Sequence, residues 1–450
     1  MVNNVPATPM DCKSGTEKLR AAAREDTLPL APRHAPPRKA VVVHAGARDA
    51  YQLARALQEH DLLARLFTDL FWPAEATFAN RLVQAVPSLH RQALQRSAPG
   101  LPFNVVQLHA FRGALCLLAE HVRKVPSSLR RLAHRSADAA LGQAAGRWAR
   151  QADAGLVSYS YYGYDAMRQF GRPAMLFQVH PHPITVRRIL QQELEAYPEC
   201  AESLQQEWEL ALPEDDFQHL VAEAGMASRF LAASSFTRSS LVENGADFDT
   251  VTVVPYGVDL ERFRPADNPR PRAPKLQLLF VGRINQRKGV KYLLEALQML
   301  KPNDVQLTIC GRVVDSLSLF RDSGLDIDIR PSVSSEDLVR AYQTADLFIF
   351  PSVAEGFAQV LLESLACGLP ILSTTHTAAP DLITEGREGF IVEPRRPDLL
   401  AERITWCLEH REALEAMRAP ARATAERFTW HRFRQHAAGA VREYLETLQP

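Results

Sequence analysis

The chain contains 450 residues, of which 46% are hydrophobic and 23% are charged, and its 52 basic residues balance its 52 acidic residues. That length exceeds what a single hydrophobic core usually organises, so we expect two domains. The zero net charge produces no overall field that would attract nucleic acid, and no nucleic-acid partner is expected. Six scattered cysteines without a C-x-x-C pair favour reduced thiols in a cytoplasmic protein over disulfides or a zinc site.

The N-terminal segment 1–37 is polar and rich in proline, and it lacks the apolar stretch of a secretory signal. We predict a disordered tail there. The chain has no run of about 18 uninterrupted apolar residues, the length that a transmembrane helix needs, so no such helix is expected.

Strand, loop and helix patterns alternate over residues 38–263. Val41–Val43 predicts a buried strand, the loop His44–Asp49 follows it, and the next helix contains Leu53 and Leu57. Further strands are predicted at Leu62–Thr68, Gly155–Ser158, Met175–His180, Arg229–Ala233 and Thr252–Pro255, and helical structure over Ile184–Ala224. The alternation predicts an α/β domain with a doubly wound parallel sheet.

A second alternation follows the proline-rich segment 264–274, which predicts a linker. Strands are predicted at Leu276–Val281, Gln306–Cys310, Leu347–Phe350, Pro370–Ser373 and Gly389–Val392, and helices at Val290–Leu300 and Ser335–Ala345. The pattern predicts a second Rossmann-like domain over residues 275–428. A terminal helix over residues 429–450 is predicted to begin at Thr429 as its N-cap.

Two acids frame the helix that follows the strand Leu347–Phe350. Glu355 lies at the strand-to-helix turn, and Glu363 lies inside the helix, which ends at Gly368. At helical rise, the eight residues between the two carboxylates span roughly 12 Å. Acids at both ends, with helix-start amides between them, suit a ligand that carries a sugar at each end and a diphosphate in the middle.

Two cations, Arg283 and Lys288, flank a loop that leaves one predicted strand and enters a helix. Together with the helix amides they would neutralise a diphosphate. The loop lacks the Gly-Lys-Ser/Thr of a P-loop, and no G-x-G-x-x-G fingerprint for NAD is present. A solvated basic loop between two elements would have the same composition.

These motifs occur in a fixed order: Pro255–Phe263, Gly282–Gly289, Pro351–Ser352, Glu355–Glu363 and Ala366–Pro370. As an ordered set they resemble the retaining glycosyltransferases of family 4, the glycosyl transferases group 1. The resemblance implies the GT-B fold, in which two Rossmann-like domains face each other across a cleft and a C-terminal helix crosses back to the first domain.

The resemblance also implies roles for residues of the second half. Arg283 and Lys288 match the cationic pair on the donor diphosphate, with Gly282 before them. Glu363 matches the acid on the donor ribose, and Glu355 matches the acid beside the transferred sugar. The turn whose amides contact phosphate or sugar corresponds to Gly356, Phe357 and Ala358, although many relatives have Gly or Pro where this chain has Ala358.

In the first half, His180 resembles the active-site histidine that contacts the donor sugar. A structural role at the strand end is the alternative for His180, and His182 is the competing candidate for the active-site role. The loop His44–Gly46 resembles the family's first glycine-rich loop, which brings backbone close to phosphate and acceptor, so Gly46 is a donor-site candidate.

The implied reaction is the retaining, metal-independent transfer of a hexose-type sugar from a nucleotide diphosphate sugar, with UDP preferred over GDP. Its acceptor is a glycan, a lipid-linked molecule or a small molecule, and the reaction belongs to polysaccharide or glycoconjugate biosynthesis. No metal site and no cofactor are expected, and the D-x-D of Asp326 and Asp328 is interpreted as coincidental. The alternatives are a nucleotide-sugar epimerase or phosphorylase of the same fold, or a non-catalytic nucleotide-sugar-binding protein.

The stretch 81–150 concentrates positive charge, with eleven basic residues against two acids, and apolar residues interleave them. Such a helix can lie on an anionic membrane, which would place a cytoplasmic protein at the inner membrane face. An ordinary helix that packs its leucines into the first domain is the alternative interpretation.

Overall fold

The computed structural model describes residues 38–47, 49–72, 96–109, 127–268, 273–301, 304–314, 320 and 323–448. The predicted tail 1–37 lies outside these residues, and so do residues 81–95 and 110–126 of the basic stretch that is predicted to contact a membrane. Within the part of the chain that the structure describes, two parallel sheets are each covered by helices.

The first sheet has seven strands in the order β3-β2-β1-β4-β5-β6-β7, and every neighbouring pair is parallel. The strands are β1 (Ala40–Val43), β2 (Leu63–Thr68), β3 (Val106–Leu108), β4 (Gly155–Tyr159), β5 (Ala174–Gln178), β6 (Ala227–Ala232) and β7 (Val251–Val253). The central strands β1, β4 and β5 are buried along their whole length, which explains their continuous apolar sequence.

Eight helices accompany this half among the described residues: α1 (Gln52–Glu59), α2 (Ser127–Gln151), α3 (Gly163–Phe170), α4 (Pro183–Ala196), α5 (Ala201–Leu204), α6 (Trp208–Ala211), α7 (Glu214–Met226) and α8 (Ser235–Glu243). Local sequence explains where α8 begins, since the Ser234 hydroxyl accepts a hydrogen bond from the Thr237 amide. The doubly wound sheet predicted for this half is confirmed.

The second sheet has six parallel strands in the order β10-β9-β8-β11-β12-β13. They are β8 (Leu276–Val281), β9 (Val305–Cys310), β10 (Ile327–Arg330), β11 (Leu347–Phe350), β12 (Ile371–Thr374) and β13 (Gly389–Val392). Its helices are α9 (Val290–Gln298), α10 (Ser335–Thr344), α11 (Gln359–Ala366), α12 (Ala379–Leu382), α13 (Pro397–Glu409), α14 (Arg411–Ala416) and α15 (Arg418–Ala425). The predicted second Rossmann-like sheet is therefore present.

The terminal helix α16 (Trp430–Thr447) packs on the first sheet. Thr429 caps it as predicted, by accepting a hydrogen bond from the Arg432 amide. The buried Tyr444 hydroxyl accepts a hydrogen bond from the Leu156 amide at 3.1 Å and donates one to the Pro173 carbonyl at 2.9 Å. The predicted crossing of this helix back to the first domain is confirmed.

Helices α4 and α5 belong to the first half by sequence, yet their apolar side chains join the core of the second half. Val186, Ile189 and Leu190 of α4, together with Leu204 of α5, pack in one buried cluster with the second sheet. This packing brings the acidic residues of α4 and of the α5–α6 segment next to the basic loop after β8.

Helices that are both long and apolar enough to cross a membrane do not occur among the residues described.

Candidate functional site

A cavity of about 560 Å³ lies where loops from both sheets meet. Five of the lining segments follow the carboxyl end of a parallel strand, namely β1, β4, β5, β8 or β11, where α/β folds bind ligands. The sixth segment, Gln206–Glu209, follows helix α5 and enters helix α6. The volume is in the range of small-molecule sites. The lining residues are His44, Ala45, Gly46, Ala47, Tyr161, Tyr162, His180, Gln206, Glu207, Trp208, Glu209, Arg283, Arg287, Lys288 and Glu355.

Five residues predicted from the sequence line this cavity: Gly46, His180, Arg283, Lys288 and Glu355. Gly46 and His180 come from the first half, and the other three come from the second half. The structure thus brings the predicted cations and the acid of the strand-to-helix turn together with the predicted histidine of the opposite sheet.

Lys288 and Glu355 form an ion pair through the lysine Nζ, and each side chain keeps only about 15% of its exposure (14% and 15%). Burial, followed by the nearby Arg287 and Arg283 guanidinium groups, lowers the pKa of Lys288 well below its usual range. The loop can turn sharply after Lys288 because Gly289 has φ 73°, and a Cβ there would lie 2.0 Å from the Pro351 carbonyl oxygen.

Arg283 does not point freely into the cavity, because its Nη2 donates to Glu207 Oε1 at 3.1 Å. Glu207 is almost fully buried and also accepts from Asn285 Nδ2 at 2.8 Å and from Arg287 Nη1 at 2.8 Å. Three donors thus converge on one buried carboxylate, which fixes the basic loop against the first half of the chain.

Glu209 provides a second buried carboxylate beside the first. Its Oε2 accepts from Arg287 Nη1 at 3.2 Å, and its Oε1 accepts from the Tyr161 hydroxyl at 2.6 Å. Tyr161 has a positive φ of 76°, and its amide donates to Glu223 Oε1. Burial raises the pKa of Glu223 to about 8.

The turn after Glu355 lies against the first half of the chain and does not line the cavity. A Cβ on Gly356 would lie 1.8 Å from the Val179 carbonyl oxygen, so only glycine fits this close approach. The Gly356 carbonyl accepts from the hydroxyls of Ser234 at 2.5 Å and Thr237 at 3.1 Å. Phe357 is buried, with its ring centroid 5.3 Å from that of Tyr256.

Ala358 precedes α11 in a left-handed conformation, with φ 66° and ψ 79°. The next residue, Gln359, donates from Nε2 to the Gly257 carbonyl at 2.6 Å. Because α11 begins only at Gln359, helical rise applies to part of the interval between the two acids. The predicted separation of roughly 12 Å between Glu355 and Glu363 assumed helical rise over the whole interval. That assumption is wrong for residues 355–358, which precede the helix.

Glu363 lies inside α11, away from the residues that line the cavity. The Tyr342 hydroxyl donates to its Oε2 at 2.9 Å, and burial raises its pKa. Gly282, at the end of β8, has φ 149°, and a Cβ there would lie 3.6 Å from the Phe350 ring. Glu363 and Gly282 are both predicted to contact the donor, and neither is among the residues that line the cavity.

Of the two candidate histidines, His180 lines the cavity, and its ring centroid is 5.1 Å from that of Tyr161 in an edge-to-face contact. His182 is buried at the start of α4, where its Nδ1 accepts from the Ile184 amide at 3.3 Å. Burial lowers the pKa of His182 to about 4. His182 therefore has a capping position, which leaves His180 as the candidate that faces the cavity.

Sequence reasoning missed five of the lining residues that organise this site: Tyr161, Glu207, Trp208, Glu209 and Arg287. Arg287 adjoins Lys288 and was discoverable from its place in the basic loop. Nothing local distinguishes Glu207 and Glu209 from the other acids of their Glu/Gln-rich segment, since their partners are about 80 residues away (78–80 for Arg287).

Residues 265–424 match the family model of the glycosyl transferases group 1, which confirms the predicted resemblance for this part of the chain. A D-inositol 3-phosphate glycosyltransferase of Arthrobacter sp. is 33% identical over 224 residues, covering 46% of this chain and 53% of the relative. One from Streptomyces scabiei is 32% identical over 228 residues, covering 45% and 51%. The chain thus spans about half the length of these curated relatives.

Solved structures resemble nearly the whole chain. The Anabaena protein HepE in complex with UDP has a TM-score of 0.56 at 17% identity, covering 91% of this chain and 100% of that one. Sucrose-phosphate synthase of Thermosynechococcus elongatus has a TM-score of 0.58 at 16% identity, with the same coverage. At such low identity the likeness establishes the fold, and the predicted GT-B fold is confirmed.

Proposed function

We propose that this chain, whose residues 265–424 match the family model of the glycosyl transferases group 1, transfers a sugar from a nucleotide diphosphate sugar to an acceptor. One observation carries the proposal: Arg283, Lys288 and Glu355 from the second half meet His180 and Gly46 from the first half around one cavity. The reacting bond would lie between the two halves, with the donor held by the second.

The two cations match what the reaction must stabilise. Breaking a sugar–diphosphate bond leaves negative charge on the leaving group and an oxocarbenium-like sugar. Arg283 and Lys288 would stabilise the negative charge on the leaving group. Cations that already contact the bound diphosphate need little reorganisation when this charge develops. In the structure their partners are Glu207 and Glu355, so a bound diphosphate would compete with two carboxylates for them.

The sugar end of the donor is proposed to lie beside Glu355 and His180. The nucleoside end would extend toward Glu363, whose carboxylate is proposed to accept hydrogen bonds from the ribose. UDP remains our preferred nucleotide over GDP, and the fold likeness to HepE, which was solved with UDP, supports this choice.

We propose retention of configuration by front-face attack, with the leaving phosphate accepting the acceptor proton, so Glu355 is not assigned as a nucleophile. A retaining glycosidase instead needs two carboxyl groups about 5 Å apart across one bond. We further propose that Arg283 and Lys288 take the place of a divalent cation, so turnover should continue in EDTA. Its complete loss on chelation would contradict this part of the proposal.

The acceptor is proposed to be a glycan, a lipid-linked or a small molecule, handled at the cytoplasmic side of the cell. The names of the curated relatives add an inositol phosphate to the acceptors worth testing. The proposed contact with anionic membrane rests on the basic stretch 81–150, of which residues 81–95 and 110–126 lie outside the described residues. Co-sedimentation with anionic liposomes at low salt tests it, and absence of binding would favour an acceptor that is not membrane-bound.

The experiment for the donor site begins with thermal shift against a panel of nucleotide sugars, followed by assays of nucleotide release. Lys288→Ala and Arg283→Ala should each lower kcat/KM by about 10²–10³, because developing phosphate charge loses a partner. Lys291→Ala is a matched control, since Lys291 lies in the first turn of α9 and pairs with Glu199 at 3.1 Å. Wild-type activity in either test variant would refute the assignment.

The same assays separate the alternatives. Release of free nucleotide with transfer to an acceptor excludes a non-catalytic binding protein, and recovery of an isomerised nucleotide sugar would instead indicate an epimerase. A phosphorylase would consume orthophosphate and show the absorbance of a pyridoxal cofactor.

A further inference from the structure

Trp208 is unusual on the wall of the cavity, because 58% of its surface is exposed in a region where its neighbours are buried. The two flanking residues, Glu207 and Glu209, are 3% and 1% exposed. The indole therefore projects from a backbone whose adjacent side chains are anchored inside the protein.

The anchoring is charge-assisted and involves both neighbours. Glu207 accepts hydrogen bonds from Arg283, Asn285 and Arg287, and Glu209 accepts from Arg287. The backbone carbonyl of Glu209 also accepts from Arg187 Nε at 2.8 Å. A large aromatic side chain on so constrained a backbone offers contact area to a ligand at little conformational cost.

Trp208 continues an aromatic wall that begins at the proposed reaction centre. Its ring centroid is 6.0 Å from that of Tyr161 at an interplanar angle of 87°, and Tyr161 is in turn 5.1 Å from His180 at 82°. Tyr161 keeps its positive φ because Glu223 accepts its amide hydrogen and Glu209 accepts its hydroxyl hydrogen.

We propose that Trp208 and Tyr161 form the acceptor subsite, and that the acceptor presents a polyhydroxylated six-membered ring whose C–H face packs on the Trp208 indole. The inference rests on the proposed function, because it takes the space beside Lys288 and Glu355 as the donor site. An attacking hydroxyl must come within about 3–3.5 Å of the reacting carbon, so the body of the acceptor must share this cavity.

The chemistry of the wall selects that kind of acceptor. A six-membered polyol carries hydroxyls around its edge and C–H groups on its faces, and a flat indole offers an apolar surface for such a face. Gln206 and His180 line the same cavity and supply polar groups for edge hydroxyls. Hexoses and inositols share this chemistry, so the test includes both.

The test uses the full chain with UDP-glucose as donor, or the donor found active in the panel, and two acceptor probes, methyl α-glucoside and myo-inositol. Trp208→Ala should raise the KM of the accepted probe about 10-fold or more, and Trp208→Phe should restore most of the loss. The Kd of UDP, measured by calorimetry, should change by less than about 3-fold. Phe248→Ala is the control, since Phe248 is 55% exposed and does not line the cavity.

A second readout needs no turnover. Adding the accepted probe with UDP should change the tryptophan fluorescence of the wild type, and Trp208→Phe should abolish that change although four of the five tryptophans remain. An unchanged KM together with an unchanged fluorescence response in the variants overturns the inference. So does a Kd of UDP that rises as much as the acceptor KM, since Trp208 would then serve the donor. If the wild type neither binds nor consumes any nucleotide sugar, the proposed function itself has failed.

Discussion

Replacing Glu355 by glutamine separates binding of the donor from the chemical step. The substitution keeps the size of the side chain and removes the charge that now pairs with Lys288. A bound diphosphate would no longer have to displace a carboxylate from this lysine. We therefore expect UDP to bind the variant more tightly while turnover of the nucleotide sugar falls.

The magnitude follows from the burial of the pair. Both side chains are about 15% exposed (14% and 15%), so the interaction is stronger than a surface pair and weaker than a fully desolvated one. A competing interaction of about 1–1.4 kcal/mol corresponds to a gain of about 5- to 10-fold in UDP affinity. Turnover should fall by about 10²–10³, because a group aimed at the charged transition state is lost.

Proton linkage gives the pH dependence of this effect. Burial and the neighbouring guanidinium groups already lower the pKa of Lys288. Removal of the Glu355 carboxylate, an opposite charge in contact with the ammonium group, should lower that pKa further. Diphosphate binds the protonated lysine, so binding takes up a proton wherever the free lysine is partly neutral. UDP affinity should consequently fall as pH rises, and it should fall more steeply in Glu355→Gln than in the wild type.

Calorimetry with UDP at pH 7.5 and 9 measures the affinity in a range where the terminal phosphate of UDP stays ionised. Steady-state assays with the nucleotide sugar measure turnover. Glu261→Gln is the control, because Glu261 is exposed and does not line the cavity. Weaker UDP binding in Glu355→Gln would mean that Glu355 organises the nucleotide site instead of competing for Lys288. Unchanged turnover would refute its placement beside the transferred sugar.

Three further predictions concern stability. Ala358→Gly should leave the melting temperature unchanged or raise it, because glycine relieves the left-handed strain at the residue before α11. Ala366→Gly, at the last residue of α11, should instead lower the free energy of unfolding by about 1 kcal/mol. A comparable loss in both variants would refute the strain at Ala358. Burial raises the pKa of Glu223 from 4.5 to about 8, so the folded protein holds a proton that the unfolded chain releases, and the free energy of unfolding falls as pH rises between these values. In urea titrations at pH 6 and 8, Glu223→Gln should lose this pH dependence of the free energy of unfolding. An unchanged pH dependence in the variant would contradict the assignment. Tyr444→Phe should lower the free energy of unfolding by about 1–3 kcal/mol, because the buried Leu156 amide loses its acceptor, and an unchanged denaturation midpoint would refute that contact.

The sequence alone determined the architecture, because the features that specify it are local. Buried parallel strands such as β1 and β11 appear as continuous apolar runs, and Thr429 marks the beginning of the terminal helix. The ordered motifs pointed to the group 1 family without any knowledge of contacts. Two of them also supplied Arg283, Lys288 and Glu355, which the structure places on one cavity.

Only the tertiary structure decided what surrounds those residues. Lys288 and Glu355 are 67 residues apart, and each is a plausible solvated charge until packing joins them. Glu207 and Glu209 reach Arg287 because α4 and α5, which belong to the first half by sequence, place their apolar faces in the core of the second half. The same packing leaves Trp208 exposed on the cavity wall. Pairing of distant charges produces no periodic pattern along a chain, so it becomes visible only when burial brings the partners together.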